Sequence, residues 1–180
     1  MSEPVLDFPA DARIHSDPEV SYTIPGHYYY DPQIFMRETR EIFLRTWQFA
    51  GYLSNLNQPS DYQTFRWFGQ NVLIVRGKDD QLRGFYNVCQ HRGHELVAEG
   101  HGNQAIHTCP YHAWSYDTTG RLKAAGNAQN VKNFDPADFS LREVRVEEFA
   151  NMVFVNFDDD APTLNSLAGE MAEEFRAAVP

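Results

Sequence analysis

Two short couples of cysteine and histidine constrain this chain more than any other feature. The first couple is Cys89-Gln-His91 and the second is Cys109-Pro-Tyr-His112, with 17 residues between His91 and Cys109. The 180-residue chain contains no further cysteine. Each couple offers one thiolate and one imidazole, which are ligand types of zinc and of iron-sulfur centres. We therefore expect a fold that brings two short loops to one place.

The residues alone leave two metal centres open. Two thiolates and two imidazoles suit a tetrahedral zinc, or a [2Fe-2S] cluster in which two histidines replace two cysteines on one iron. Paired zinc ligands usually have about two to four residues between them, whereas a single residue separates Cys89 from His91. Gly93 and Pro110 beside the couples are typical of strand ends. The pattern favours the iron-sulfur interpretation over zinc. Unliganded core side chains are the least favoured of the three interpretations.

The composition is that of a globular protein with an acidic surface. Hydrophobic residues make up 42% of the chain, which is enough for the core of one domain. A formal net charge of -10 repels nucleic-acid backbones and anionic membrane surfaces. The first residues lack the features of an export signal, and no run approaches the roughly 20 apolar residues of a membrane span. We expect a cytoplasmic protein with no nucleic-acid or membrane partner, in which the cysteines serve metal or redox chemistry.

An extended, proline-rich arm precedes one amphipathic helix. Asp31 is a candidate N-cap and Pro32 the first helical residue, and the apolar spacing predicts a helix over residues 32 to 47. A second amphipathic helix is predicted over residues 163 to 178, with Leu164, Leu167, Met171 and Phe175 on one face. We divide the chain into an arm (1–26), a helix with its lead-in (27–50), a β-rich domain (51–160) and a helical linker (161–180).

The middle of the chain predicts short antiparallel strands. These segments are rich in β-branched and aromatic residues and are separated by turn sequences such as "GKDDQ" and "DTTG". The candidates are "YQTFRWF", "NVLIVRG", "QLRGFYNV", "QAIHTC", "AWSYD", "RLKAA" and a last hairpin of "REVRVEEF" with "NMVFVNFDD". We predict a mainly β fold, an antiparallel sandwich or small barrel with flanking helices.

The motifs around the two couples resemble a known signature. Cys-x-His-Arg-Gly followed by Cys-Pro-Tyr-His-x-Trp is similar to that of the Rieske [2Fe-2S] domain of ring-hydroxylating oxygenase α-subunits, the Rieske non-haem iron oxygenases. "EIFLRTWQFAGYLSNL", "YDTTGRLKAA" and "VEEFANMVFVNFDDDAP" resemble the segments that flank the cluster in those subunits, so the likeness covers about residues 28 to 162. Several segments resemble the carnitine and quaternary-ammonium monooxygenases more closely than the naphthalene or biphenyl group.

The resemblance implies a ligand set. Cys89 and Cys109 are expected to hold one iron, and His91 and His112 the other, redox-active iron. Neutral imidazoles make such a cluster less negative than an all-cysteine one, so its potential is higher, at roughly -150 to +300 mV. Tyr111 and Trp114 are expected to shield the sulfurs, with Trp114 equally well explained as a core residue. His94 lies beside the first couple but fits no ligand position.

The resemblance also implies partners beyond this chain. A reductase or ferredoxin, supplied by NAD(P)H, would deliver electrons, and the cluster would pass them to a mononuclear Fe(II) that activates O2 for hydroxylation or oxidative C–N cleavage. No residues here match that second iron site, which belongs to a C-terminal catalytic domain, so this chain alone is expected to be catalytically incomplete, with no catalytic residue of its own. Family members are commonly homotrimers in which the cluster serves the catalytic domain of a neighbouring α-subunit.

Two alternative functions remain on the sequence alone. A free-standing Rieske ferredoxin would carry electrons between other proteins, but the two predicted helices exceed the usual size of such a protein. An interaction module with a structural zinc is the other alternative.

Overall fold

The computed structural model describes residues 15–126, 128 and 130–178. The chain divides into two compact units, Met1–Ile42 and Phe43–Pro180. Residues 1–14 of the predicted arm lie outside the described residues. Within the described part of the chain, none of the helices has both the length and the apolar character that a membrane crossing requires.

The N-terminal helix begins as predicted but changes geometry early. A 3-10 turn, Gly26–Tyr29, precedes α1, Pro32–Glu38, and the Gln33 N–H donates to the capping carboxylate of Asp31 at 2.8 Å. The chain continues as a π-helical turn, Thr39–Phe43, so the predicted α-helix to residue 47 was too long. The Thr39 hydroxyl donates to the Phe35 carbonyl at 2.8 Å, and such a bond competes with the backbone ladder.

Among the described residues of the C-terminal unit there are ten strands, and all paired neighbours are antiparallel. They are β1 Gln48–Tyr52, β2 Asp61–Trp67, β3 Gln70–Arg76, β4 Leu82–Tyr86, β5 His101–Asn103, β6 Ile106–Thr108, β7 Ser115–Asp117, β8 Leu122–Ala124, β9 Glu143–Phe149 and β10 Met152–Asn156. A seven-stranded sheet has the order β1-β10-β9-β4-β3-β2-β5, and a three-stranded sheet has the order β6-β7-β8. The predicted mainly β, antiparallel fold is confirmed. Strand β5 was not among the predicted strands.

Strand β3 is buried on both faces and separates two cores. Alternate side chains of a strand point to opposite faces, so the apolar run in this strand serves both sides. Val72 and Ile74 belong to one core, which we call the far core, together with Leu56, Val144, Val153 and Val155. Leu73 and Val75 belong to the other, the cysteine-side core, with Phe85, Cys89, Leu96, Val97, Cys109, Trp114, Tyr116, Leu122 and Leu141. The segment "NVLIVRG", predicted as a strand, is thus a strand with buried side chains on both faces.

The C-terminal segment contains two short helices instead of the single one predicted over residues 163 to 178. Helix α2, Leu164–Ala168, is capped by Thr163, whose hydroxyl accepts from the Ser166 N–H at 3.2 Å. Gly169, at φ 52°, ends it, because glycine adopts this left-handed conformation at little cost. Helix α3, Met171–Ala178, follows and buries Ala172, while the predicted apolar face is mostly exposed.

Candidate metal centre

The first Cys/His loop, residues 89–94, is closed by two backbone hydrogen bonds. The Cys89 N–H donates to the His94 carbonyl at 2.8 Å, and the Gly93 N–H donates to the Cys89 carbonyl at 2.9 Å. Gly93 has φ +69°, and a β-carbon added there would meet no atom within 4 Å. A single β-bridge between Val88 and Glu95 flanks the loop. The glycine is therefore needed for its backbone conformation, not for space.

The second Cys/His loop, residues 109–114, repeats this backbone. The Cys109 N–H donates to the Trp114 carbonyl at 2.8 Å, and the Ala113 N–H donates to the Cys109 carbonyl at 3.0 Å. Its fifth residue, Ala113, also has positive φ, +60°. The β6–β7 ladder flanks it through the Thr108–Ser115 pair. Two equivalent loops therefore hold the two cysteines at equivalent positions.

The cysteines enter the same core as free thiols. Cys89 is 1% exposed and Cys109 is 2% exposed, and neither forms a disulfide. Burial raises the pKa of the Cys89 thiol, and Cys109 beside it raises the pKa further. Hydrogen bonds from Tyr116 and from the His91 N–H oppose this effect. The buried Cys89 thiol is therefore costly to ionise, and a bound metal offsets that cost because it takes the thiolate form.

The two predicted histidines meet edge to face. The ring centroids of His91 and His112 lie 4.6 Å apart at 76°, and both residues are half-buried. Desolvation lowers the pKa of His112, as do electrostatic interactions with His91, Arg92 and His94. Neutral imidazole is the form that ligates metal.

Tyr116 is a site residue that sequence analysis missed. Its hydroxyl lies 3.5 Å from the Cys89 Sγ and accepts the Gln90 N–H at 3.0 Å. Burial raises the pKa of this hydroxyl, so it stays neutral and able to donate. The signal was present in "AWSYD", since residues 114 and 116 share one face of a strand. Tyr116 thus connects the strand after the second loop to the sulfur of the first.

The remaining sequence candidates lie around this centre. Trp114 is buried and its ring stacks on His91, whereas Tyr111 is 55% exposed and its ring lies 3.7 Å from that of His112. His94 is exposed, and its Nδ1 lies 2.6 Å from the Glu95 carbonyl oxygen. His107 is buried in β6, and neither of its ring nitrogens has a hydrogen-bond partner within the described residues.

The donor set fits a dinuclear cluster. Such a cluster needs two protein ligands on each of two irons, and in the Rieske type these are two cysteines and two histidines. The structure brings two buried thiols together and two imidazoles together, on loops of matching backbone. In the part of the chain that is described, no three His, Cys, Asp or Glu side chains gather as a site for one metal ion.

The fold and this centre define the class of protein. Residues 46–135 match the family model of the Rieske [2Fe-2S] domain, and the chain belongs to that family. The general role of this family is electron transfer. The sequence resemblance to Rieske oxygenases is thereby confirmed.

Sequence comparisons with individual proteins show which members of the Rieske family this chain is similar to. The chain is 40% identical over 163 residues to a carnitine monooxygenase oxygenase subunit from Acinetobacter pittii (strain PHEA-2), covering 91% of this chain and 44% of that protein. It is 38% identical over 181 residues to the subunit of that name from Escherichia coli (strain K12), covering 100% and 48%. The chain thus spans about half the length of these curated relatives.

A solved structure agrees with these relatives. It is that of a quaternary ammonium Rieske monooxygenase, described as giving insights into carnitine oxidation by gut microbiota and inter-subunit electron transfer. It superposes with a TM-score of 0.85 at 40% identity, covering 93% of this chain and 46% of that chain. The relatives of this chain are therefore Rieske oxygenases, which are oxidoreductases.

Proposed function

We propose that this chain is the electron-relay part of an oxygenase α-subunit and that its four couple residues are the cluster ligands. Cys89 and Cys109 would bind one iron, and His91 and His112 the other. One observation carries the proposal. Two loops of equivalent backbone place two free, buried thiols in one core and two half-buried imidazoles at ring contact.

The chain's own residues create the environment for this centre. When bound, a Rieske cluster supplies one-electron transfer at a potential of roughly -150 to +300 mV. The cysteine-side core excludes water from the sulfurs, and the Tyr116 hydroxyl is positioned to donate to the Cys89 Sγ. The half-buried histidines keep one side of the centre open to a partner. The arrangement suits a relay that receives and passes on electrons at its histidine side.

The partners of this relay form the second part of the proposal. A reductase or ferredoxin that draws on NAD(P)H would supply the electrons. A mononuclear Fe(II) in the catalytic domain of a neighbouring α-subunit would receive them, within a homotrimer. The inter-subunit electron transfer described for the related quaternary ammonium monooxygenase supports this arrangement. The exposed ring of Tyr111 beside His112 supports a protein contact at this end of the domain.

The overall reaction would be oxygenation in the cytoplasm. It would be a monooxygenation that hydroxylates a quaternary ammonium compound or cleaves its C–N bond, with dioxygenation as the other outcome. The relatives named carnitine monooxygenase support the monooxygenase class. None of the described residues is proposed to contact the substrate, so the residues of this chain would supply electrons to the reaction without catalysing it directly.

Cluster assembly in the purified chain tests the proposal. The chain is produced and purified without oxygen, and its iron, sulfide and zinc contents are measured together with its absorption and its EPR spectrum after reduction. We expect two irons and two sulfides per chain and a Rieske-type EPR signal. His94→Ala is the matched control, because it changes a histidine beside the first couple and should leave the iron content unchanged. A colourless chain with one zinc would contradict the proposal.

A further inference from the structure

Trp114 belongs to one Cys/His loop by its backbone and touches the other by its side chain. Its carbonyl accepts the Cys109 N–H at 2.8 Å and so closes the second loop. Its indole stacks on the imidazole of His91, in the first loop, with ring centroids 4.8 Å apart and an interplanar angle of 12°. One residue thus connects a cysteine of one loop with a histidine of the other.

The indole is itself held in place. Trp114 is 5% exposed, and its ring makes an edge contact with Phe134, with centroids 5.9 Å apart and 82° between the planes. Phe139 makes the second edge contact, at 5.4 Å and 85°. The two phenylalanines stack on each other at 4.9 Å and 17°, and Asp135 caps the short turn between them. Edge-to-face and offset-stacked arrangements are the favourable ones for aromatic rings. We call the rings of Phe134 and Phe139 the aromatic clamp.

The equivalent residue of the first loop makes a different contact. His94 occupies the sixth position of its loop, as Trp114 does, but it is exposed and its ring lies 5.5 Å from Tyr111 at 43°. No ring edges like those of Phe134 and Phe139 hold it in the described structure. His112 lies against the exposed ring of Tyr111, with centroids 3.7 Å apart and planes tilted by 36°. Of the two histidines at the centre, His91 is therefore the one that stacks in parallel on a buried ring.

The geometry points to Trp114 as a positioning residue that sets the ring plane of His91. This inference rests on the proposed function, in which His91 is a metal ligand. An imidazole ligand can still rotate about its bond to the metal, and a parallel indole restricts that rotation. A restricted ring gives one ligand orientation and hence one electronic environment at the histidine-bound iron. The aromatic clamp keeps the indole in the plane that the imidazole requires.

Two substitutions of Trp114 separate ring stacking from core filling. Trp114→Phe keeps a flat ring, and it removes no hydrogen bond, because the indole N–H has no partner among the described residues. Trp114→Leu keeps apolar volume but removes the plane. We expect the Phe variant to show the EPR line shape and potential of the unsubstituted chain. The Leu variant should show broadened, shifted lines and an altered potential at similar iron content.

A core control makes the result specific. Phe85→Leu lies in the same cysteine-side core and has no ring contact with His91 in the described structure, so it should lower the unfolding midpoint without broadening the EPR lines. If Trp114→Leu takes up no cluster, the double variant Phe134→Leu with Phe139→Leu decides, since it loosens the clamp and leaves Trp114 in place. Broadening in that variant supports the inference.

The failures of the two proposals are distinguishable. An unsubstituted chain without a Rieske EPR signal overturns the proposed function. A normal signal that neither Trp114→Leu nor the double variant alters overturns the role of Trp114 alone. Equal broadening in the Phe and Leu variants of Trp114 also overturns it, because ring stacking would then not be the cause.

Discussion

The two Cys/His loops share a backbone but differ in sequence and in support. Both have a cysteine first, two closing hydrogen bonds and a positive φ at the fifth residue. The histidine is third in the first loop and fourth in the second, and glycine at the fifth position is replaced by alanine. The first loop is flanked by one isolated bridge and the second by a regular ladder. The common backbone therefore places the two cysteine sulfurs at equivalent positions. The local sequence places the two histidines at different positions in their loops.

Removing a cysteine should have the largest effect on cluster binding, and the effect should be the same in either loop. We expect Cys89→Ser and Cys109→Ser each to abolish cluster binding, because a hydroxyl is a poor substitute for a thiolate on iron. Iron content and visible absorption measure the loss. Ser115→Ala, next to the second loop, is the control. A variant that retains the full iron content would remove its cysteine from the ligand set.

Exchanging a histidine for a thiolate tests whether the imidazoles set the potential. His91→Cys is expected to keep a cluster and to lower its potential by more than about 100 mV, towards the roughly -400 mV of all-cysteine clusters. Redox titration followed by absorption gives the value. An unchanged potential would argue that His91 is not a ligand. His112→Cys makes the same test in the other loop.

Glycine and alanine can be exchanged at the fifth position of the two loops, residues 93 and 113. Gly93→Ala should destabilise the folded chain by about 1 kcal/mol, because an alanine pays for the left-handed conformation that glycine adopts freely. Ala113→Gly should change the stability by less, since relief of that strain is offset by the greater freedom of glycine in the unfolded chain. Urea unfolding of the loaded protein compares them. Equal destabilisation by both changes would show that φ does not distinguish the loops.

Asp117 supports the hairpin that follows the second loop. Burial alone would raise the pKa of this carboxyl, but hydrogen bonds from Thr119 and from the Arg121 N–H outweigh burial and hold the pKa below its usual value. Because the folded pKa is lower than the unfolded one, the stabilisation is present above about pH 3.9 and is lost as the pH falls through the folded pKa.

Replacing that carboxyl should show the same pH dependence. Asp117→Asn is expected to lower the free energy of unfolding by about 1 kcal/mol at neutral pH. The difference from the unsubstituted chain should shrink as the pH falls below the unfolded pKa and through the lower, folded pKa. Urea unfolding at a series of pH values measures it, and a difference that stays constant with pH would rule out the carboxylate as its source.

The smallest effect should come from Tyr116, whose hydroxyl lies 3.5 Å from the sulfur of Cys89. Tyr116→Phe removes a hydrogen bond that favours the more negative, reduced centre, so the potential should fall by a few tens of millivolts. For one electron, 59 mV corresponds to a tenfold change in the equilibrium constant. Tyr62→Phe, whose ring packs on His107, is the control. A rise in potential would contradict the assigned donor.

Sequence patterns predicted the sheet better than the helices. Strand alternation and the buried run in β3 are properties of neighbouring residues, so the antiparallel fold could be predicted from them. The break at Gly169 and the π-helical turn after Glu38 depend on one backbone conformation and one side-chain hydrogen bond, which periodicity does not register. The assignment of the four ligands stays a prediction that cluster analysis will test.

The side chains around the centre were harder to predict than the couples themselves. Tyr116 reaches the first loop only because β7 folds back beside it, so the contact joins residues 27 positions apart. The clamp on Trp114 likewise joins the second loop to residues of the segment before β9. Such contacts depend on tertiary packing. A sequence motif gives the spacing of its own residues but does not show which distant residues pack on them.

Strand β3 has one more consequence, which concerns how this domain can change over time. One face of the strand packs in the far core, and the other packs in the core that contains both cysteines. Substitutions at Val144, Val153 or Val155 can therefore raise or lower stability with little effect on the electronic environment of the centre, because β3 lies between them. The domain can adapt to temperature in one compartment while its redox chemistry is conserved in the other.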